Sequence, residues 1–264
     1  MKRFFILMLS ASLLVSCSEY QKALKSEDSG LKYAQAEKKY NDGKYSKAIR
    51  LFEQMAPNYK GKPQAEKMFY MFAQSYYKTE QYYLAGYQFE TFAASYPRSE
   101  KAEEASYLSA KSYANMSPRY SLDQVDTDKA IDKLQAFIDK YPDSEFLKEA
   151  NETMKTLREK LEKKAYEIAY GYNKISDYKS AIVAFDNFVA DYPGTPFREK
   201  ALYYRFDSTY RLAVNSVPSK MEERLNQAKG AYNNLIKSYP ESEYKKNADE
   251  MLAKIENDLK QFAK

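Results

Sequence analysis

Cys17 is the only thiol in a chain of 264 residues that contains no histidine. A thiol can bind metal, attack a carbonyl beside an imidazole, pair in a disulfide or carry a lipid, and most of these need a partner that is missing. Zinc sites usually draw on Cys and His together, and Ser-His-Asp or Cys-His catalysis needs an imidazole. An enzyme would have to work with carboxylates, Lys and Tyr alone. The chain therefore reads as non-catalytic, with no metal and no cofactor. Tyrosine is abundant instead, 27 of them with no Trp. Its ring gives large apolar area, a polar tip and little side-chain entropy to lose, which is chemistry for binding. The net charge of +5 is nearly balanced, 42 basic against 37 acidic side chains. No clustered basic face of the kind that nucleic acid requires stands out.

Upstream of Cys17 the chain opens Met1-Lys2-Arg3, followed by the apolar run Phe4 to Val15 and then Ser16. That order describes a secretory signal over residues 1–16, and the run falls well short of the roughly 20 residues of a membrane helix. Leu14-Val15-Ser16-Cys17 resembles a lipobox, the motif after which bacterial lipoproteins are cut and acylated. An unpaired cysteine in an oxidising compartment is a liability unless it is modified, which favours Cys17 as the lipid attachment over an ordinary secreted protein with a stray thiol. Ser18 is not the Asp of an inner-membrane retention signal, and Ser18-Glu19-Tyr20 does not resemble a surface-export tag. By analogy this implies the periplasmic face of the outer membrane. Residues 17–29 are polar and read as a lipid-anchored tether.

The body of the chain repeats itself. Ala48-Phe52-Met55-Tyr59, Ala85-Phe89-Phe92-Tyr96, Ala130-Leu134-Phe137-Tyr141, Ala181-Phe185-Phe188-Tyr192 and Ala228-Tyr232-Leu235-Tyr239 share steps of +4, +3 and +4, one face of an α-helix. In the last four, proline follows the tyrosine and stops the helix. Ser99, Ser144, Thr195 or Ser242 then stands two residues on, a suitable N-cap for the next helix. With only 7 Gly and 9 Pro the chain should be mostly helix. From Ser144 to Ile175 no proline intervenes, and Leu147, Met154, Leu157, Leu161, Ile168 and Tyr172 keep helical spacing, predicting one long helix of about 45 Å. Gly171 would mark a kink or an end, and so rigid an element would fix the halves on either side at a set angle. The stretch Asn115 to Thr127, with Pro118, reads as an insert.

A small residue where helices meet, large ones between them and a proline stop resemble the tetratricopeptide repeat. The expected fold is all-α, an α-solenoid of five tetratricopeptide-like helix-turn-helix repeats over 30–264, with repeats 1–2 at about 30–97, repeat 3 at about 98–142 and repeats 4–5 at about 143–264. The tyrosine spacings of 37, 45, 51 and 47 mostly exceed the family's usual 34, and the first unit has Asn58-Tyr59-Lys60-Gly61 in place of the proline stop.

More specific stretches resemble the BamD family, the lipoproteins of the outer-membrane β-barrel assembly machine. These are Tyr33-Ala34-Gln35-Ala36, Asp42 through Ile49, Ala73 through Lys78, Tyr141 through Phe146, Leu157 through Leu161, Tyr166 through Tyr170 and Asp191 through Pro196. The order of lipobox, repeats, insert, long helix and further repeats is similar over nearly the whole mature chain. The resemblance implies a scaffold that contacts BamA and other assembly-complex subunits, and that binds unfolded β-barrel substrates, with substrate associated with the N-terminal repeats and BamA with the C-terminal ones. Phe185, on the core stripe, stands near where the resemblance would put a charge, so no single BamA contact is carried over. Another periplasmic repeat lipoprotein, organising cell-wall or division proteins, remains the alternative; a glycan-binding lipoprotein would be longer and would use Trp platforms.

In this repeat class the first helix of each pair lines the inner face. Registering the second repeat on Ala73 and Ala85 puts Phe69, Phe72 and Tyr76 inside and Lys67, Tyr70, Gln74 and Tyr77 on a peptide-binding groove. The same register exposes Tyr33, Glu37 and Tyr40 in the first repeat, and Tyr107 and Lys111 in the third. Lys67 or Lys111 would then hold a terminal carboxylate. The competing reading is that these tyrosines shield the seams between repeats.

Overall fold

The computed structural model describes residues 19–262, so the signal, the cut site and Cys17 lie outside it. The described residues are helical and contain no strand. The helices are α1 (Ser29–Asn41), α2 (Tyr45–Met55), α3 (Ala65–Lys78), α4 (Tyr82–Ser95), α5 (Ala102–Met116), α6 (Val125–Lys140), α7 (Leu147–Lys174), α8 (Tyr178–Asp191), α9 (Arg198–Val214), α10 (Pro218–Ser238) and α11 (Lys245–Leu259). They pair as α1/α2, α3/α4, α5/α6, α7/α8 and α9/α10, with α11 closing on α10. This is an all-α fold of five tetratricopeptide-like repeats and a final helix. None of the described helices is long and apolar enough to cross a membrane.

The five skeletons are the second helices of the five pairs, and they form the core. Ala48, Ala85, Ala130, Ala181 and Ala228 are fully buried. Phe52, Phe89, Leu134 and Phe185 fill the next position and are also fully buried; removing each such side chain from water contributes about 1.5–3 kcal/mol. Only the fifth repeat differs there, with half-buried Tyr232 in place of a buried residue.

Helix ends explain the register. At Tyr96, Tyr141, Tyr192 and Tyr239 the backbone leaves the helix at φ between −124° and −137° and ψ between 60° and 79°. The following proline excludes the helical region for these residues. In the first repeat no proline follows Tyr59, and α2 instead runs into a 3-10 turn, Ala56–Asn58, that contains Pro57. The expected caps act one turn early. The hydroxyls of Ser99, Ser144, Thr195 and Ser242 accept from the N–H two residues on, at 3.0–3.2 Å, and close a tight turn three residues before the α-helix begins.

The turns within pairs also repeat. After α1, α3 and α7 the chain passes through a left-handed residue, Gly43, Glu80 and Ser176, with φ of 71°, 58° and 64°. The next N–H bonds five residues back at each: Lys44 to Lys39, Gln81 to Tyr76, Asp177 to Tyr172. Together with the bonds from the left-handed residues themselves this is the Schellman end. α7 is the long helix anticipated, running three residues past Gly171.

The chain packs as two compact units. One holds the described residues up to Pro118 with Asp123–Leu157; the other holds Arg119–Leu122 and the residues from Arg158 on. In the first, Phe52, Phe72, Tyr76, Phe89 and Phe92 share a cluster, and Tyr107, Leu134, Phe137, Met154 and Leu157 form another. In the second, Tyr166, Phe185 and Phe188 form one cluster, and Phe206, Leu225, Leu235 and Ile255 a further one.

The tether expected over 17–29 needs correction from residue 19 onward. Residues 19–25 are helical, Tyr20 and Ala23 are buried, and Leu24 packs on the same cluster. The spacing +3 and +4 gives this short segment one apolar side. Asp28 then caps α1 by accepting from the Gly30 and Leu31 N–H groups at 2.7 and 3.3 Å.

Candidate peptide-binding face

The first helices of the pairs in the first unit carry the groove residues. They come together as three similar sets, each joining one first helix to the next. In the first, Glu37 on α1 accepts from Lys67 on α3 at 2.6 Å, and Tyr33 lies beside the carboxylate while its ring stacks on Tyr59 at 5.8 Å. In the second, Lys101 on the approach to α5 holds Glu104 at 2.7 Å and lies 5.6 Å from the Tyr70 ring of α3. Gln74 donates to the Tyr70 hydroxyl at 3.0 Å. In the third, Lys111 on α5 reaches Glu149 on α7 at 2.5 Å and lies 5.5 Å from the Tyr107 ring.

Two corrections follow. Tyr107, expected on the groove, is buried: its ring stacks on Phe146 at 4.7 Å and tilts against Phe137 at 5.5 Å. The register placed it on the groove side of α5, but Phe146, on the approach to α7, covers it. Lys67 and Lys111, expected to be open for a carboxylate, are each occupied by a glutamate of the chain itself. Tyr33, Glu37, Tyr40, Tyr70, Gln74 and Tyr77 are half-exposed and Lys67 is exposed, while Phe72 and Tyr76 are buried and Phe69 packs against them.

The electrostatics agree with this geometry. Burial pushes the Tyr33, Tyr40 and Tyr70 hydroxyls up, with Glu37 adding to the effect at Tyr33. The hydrogen bond from Lys111, and then the nearby Tyr107 hydroxyl, hold Glu149 below its usual range. Glu37 raises Lys67 above its usual value by the same kind of bond. Each set pairs one lysine with one glutamate. Among the described residues no group of three or more metal-ligating side chains occurs.

Glu104, Lys101 and Glu149 were not singled out from the sequence. A signal was present, because Lys101, Glu104, Tyr107 and Lys111 follow one another at +3, +3 and +4. The second unit has an aromatic counterpart that was also missed. Tyr170 on α7 meets Tyr204 on α9 at 4.5 Å, and Tyr203 stacks on Tyr244 at 4.3 Å. Burial pushes the Tyr204 hydroxyl up to about 12.

No curated protein matches the chain. Among solved structures it is similar to putative kinesin light chain repeats described as nearly identical and TPR-like, from Podosopora anserina. One is 16% identical over 79% of this chain and 98% of that one, with a TM-score of 0.31. A single-residue variant of those repeats is 16% identical over 77% and 93%, with a TM-score of 0.30. At that level the architecture rests on the helices themselves. The family described as outer membrane lipoprotein, YfiO, matches residues 26–216 and again 161–262. Those two stretches take in all five repeats and the final helix, and the chain belongs to the YfiO family of outer membrane lipoproteins, which is the BamD family.

Proposed function

We propose that this protein is a non-catalytic scaffold of the outer-membrane β-barrel assembly complex. It is held by a lipid on Cys17 to the periplasmic face of the outer membrane, and it binds BamA and unfolded barrel substrates. Family membership supports the complex, and the lipobox supports the anchor. The observation that carries the substrate part is the face of α1, α3 and α5, where Tyr40, Tyr70, Gln74 and Tyr77 lie half-exposed beside three glutamate–lysine pairs. Half-exposed tyrosines between neutralised charges suit an extended chain with aromatic side chains. Its rings gain apolar contact and its backbone finds hydroxyl and amide partners. A terminal carboxylate would have to exchange with Glu37 or Glu149 for its lysine.

The test is binding of a labelled peptide ending in an aromatic residue with a free carboxylate. Removing Tyr40 and Tyr77 as Tyr40→Ala/Tyr77→Ala should weaken binding at least about tenfold, the loss of roughly 1.4 kcal/mol, with helicity unchanged. Glu37→Gln, which frees Lys67, should strengthen it for the carboxylate form and not for the amide. Unchanged affinity in both variants would exclude this face as the substrate site, leaving the scaffold role to be tested by its partners.

A further inference from the structure

The docked segment 19–25 leaves almost no chain between the first repeat and the proposed site of acylation. Only Ser18 separates Glu19 from Cys17, and two residue steps at about 3.5 Å each span at most about 7 Å. From Glu19 onward the chain is held. Tyr20 is buried and its hydroxyl donates to the Lys47 carbonyl at 3.3 Å. Ser26 bonds back to Lys22, and Asp28 caps α1. If Cys17 carries lipid, the first repeat is set against the bilayer surface and does not hang below it on a leash.

The surface around that point is cationic. The Lys47 ammonium lies 5.5 Å and the Lys39 ammonium 5.9 Å from the Tyr20 ring, and Arg50 is close enough to act on its hydroxyl. Lys38, Lys44 and Lys47 crowd the buried Lys39, whose pKa is lowered by burial first and then by these neighbours. Lys22 and Lys25 are exposed on the docked segment, as are Lys47 and Arg50 on α2. Among the described residues these four make no ion pair. The acids nearby are largely engaged, Glu19 with Lys38 at 3.7 Å, Asp42 with Lys44 at 3.6 Å and Asp28 in its cap; exposed Glu27 is the exception.

We propose that Lys22, Lys25, Lys47 and Arg50, gathered on the docked segment and α2, form a contact surface for anionic phospholipid headgroups of the leaflet that holds the anchor. This deepens the lipid-anchor reading and rests on it. The reason is distance. A cation acts on a charged membrane within about one Debye length, about 8 Å at physiological salt, and the short connection to Cys17 brings these side chains within that range. Each contributes about a fivefold gain in partitioning near an anionic surface, so four of them together favour such a surface by about 600-fold and orient the repeat on the membrane.

The experiment separates this surface from the anchor. The mature chain carrying Cys17→Ser, which cannot be acylated, is sedimented with vesicles of phosphatidylcholine alone or with about 30% phosphatidylglycerol. It should bind the anionic vesicles and not the neutral ones, and release at about 0.5 M salt. Changing Lys22, Lys25, Lys47 and Arg50 together to Gln should lower anionic binding at least tenfold. Changing Lys220, Lys237, Lys246 and Lys254 to Gln, an equal loss of charge on α10 and α11, should leave it within about twofold. No preference for anionic vesicles, or an equal loss in both charge variants, would overturn the proposal. Detergent-phase partitioning of the unaltered, acylated protein reports the anchor independently, so failure of one reading is distinguishable from failure of the other.

Discussion

Glu149 shows what a single side chain does on this face. Its carboxylate joins α7 to Lys111 on α5 and lies beside buried Tyr107, so its folded pKa is depressed. Stability from this set is therefore complete above the unfolded carboxylate value of about 4.3 and is lost as pH falls through the lower folded value. Because Glu149 is about half exposed, Glu149→Gln should cost no more than about 1 kcal/mol. It should also flatten the fall in stability below about pH 4.3, which acid titration of the unfolding midpoint would show; an unchanged profile would remove the pair from the account. Asp207 is a more costly case. Nearly buried, it accepts from Asn173 on α7 at 2.8 Å and from Arg211 at 2.8 and 2.9 Å. Asp207→Ala should destabilise by about 2–3 kcal/mol by stranding those donors, measured by denaturant unfolding, whereas a loss under about 0.5 kcal/mol would mean the network is dispensable. Glu149 left no local pattern because Lys111 is on another helix; Asp207 had one in Arg211, four residues on in the same helix, while its partner Asn173 on α7 left none. The tyrosines were legible as a helical stripe, but a stripe does not say which member the next helix will cover, and Tyr107 was covered.

At the scale of helices and turns, the sequence was most informative where one physical cause repeats. The +4, +3, +4 stripe and the proline after the tyrosine recur, and both the buried second helices and their shared ends follow from them. The turns within pairs were less legible. Their left-handed position is glycine only at Gly43; Glu80 and Ser176 occupy the same conformation with no compositional sign. That difference gives a prediction. A residue with a Cβ costs about 1–2 kcal/mol there, and glycine returns part of it as greater freedom in the unfolded chain. Glu80→Gly and Ser176→Gly should each stabilise by about 0.5–1 kcal/mol, while Gly43→Ala, which meets no neighbouring atom, should destabilise by about 1 kcal/mol through backbone strain alone. Thermal unfolding would detect all three, and a loss of stability in either glycine variant would contradict the shared turn. The polarity of segment 19–25 points to a tether, but its spacing points to a packed helix, and the packed helix is what forms. Tyr20, Ala23 and Leu24 already marked one apolar side.

At the scale of the whole chain, composition alone restricted the chemistry. The absence of histidine and the single thiol exclude imidazole-based triads and an internal disulfide. Membership of the outer membrane lipoprotein family now places the protein at that membrane. What periodicity could not supply is the partner, since a repeat specifies how helices stack and leaves the exposed side chains free to vary. The partner is therefore where the account is most exposed to test. Affinity purification of the tagged, acylated protein from detergent-solubilised membranes of its own cells, read by mass spectrometry, should recover BamA as a major and stoichiometric companion. Recovery of cell-wall or division proteins in its place, with BamA absent, would contradict the assembly role.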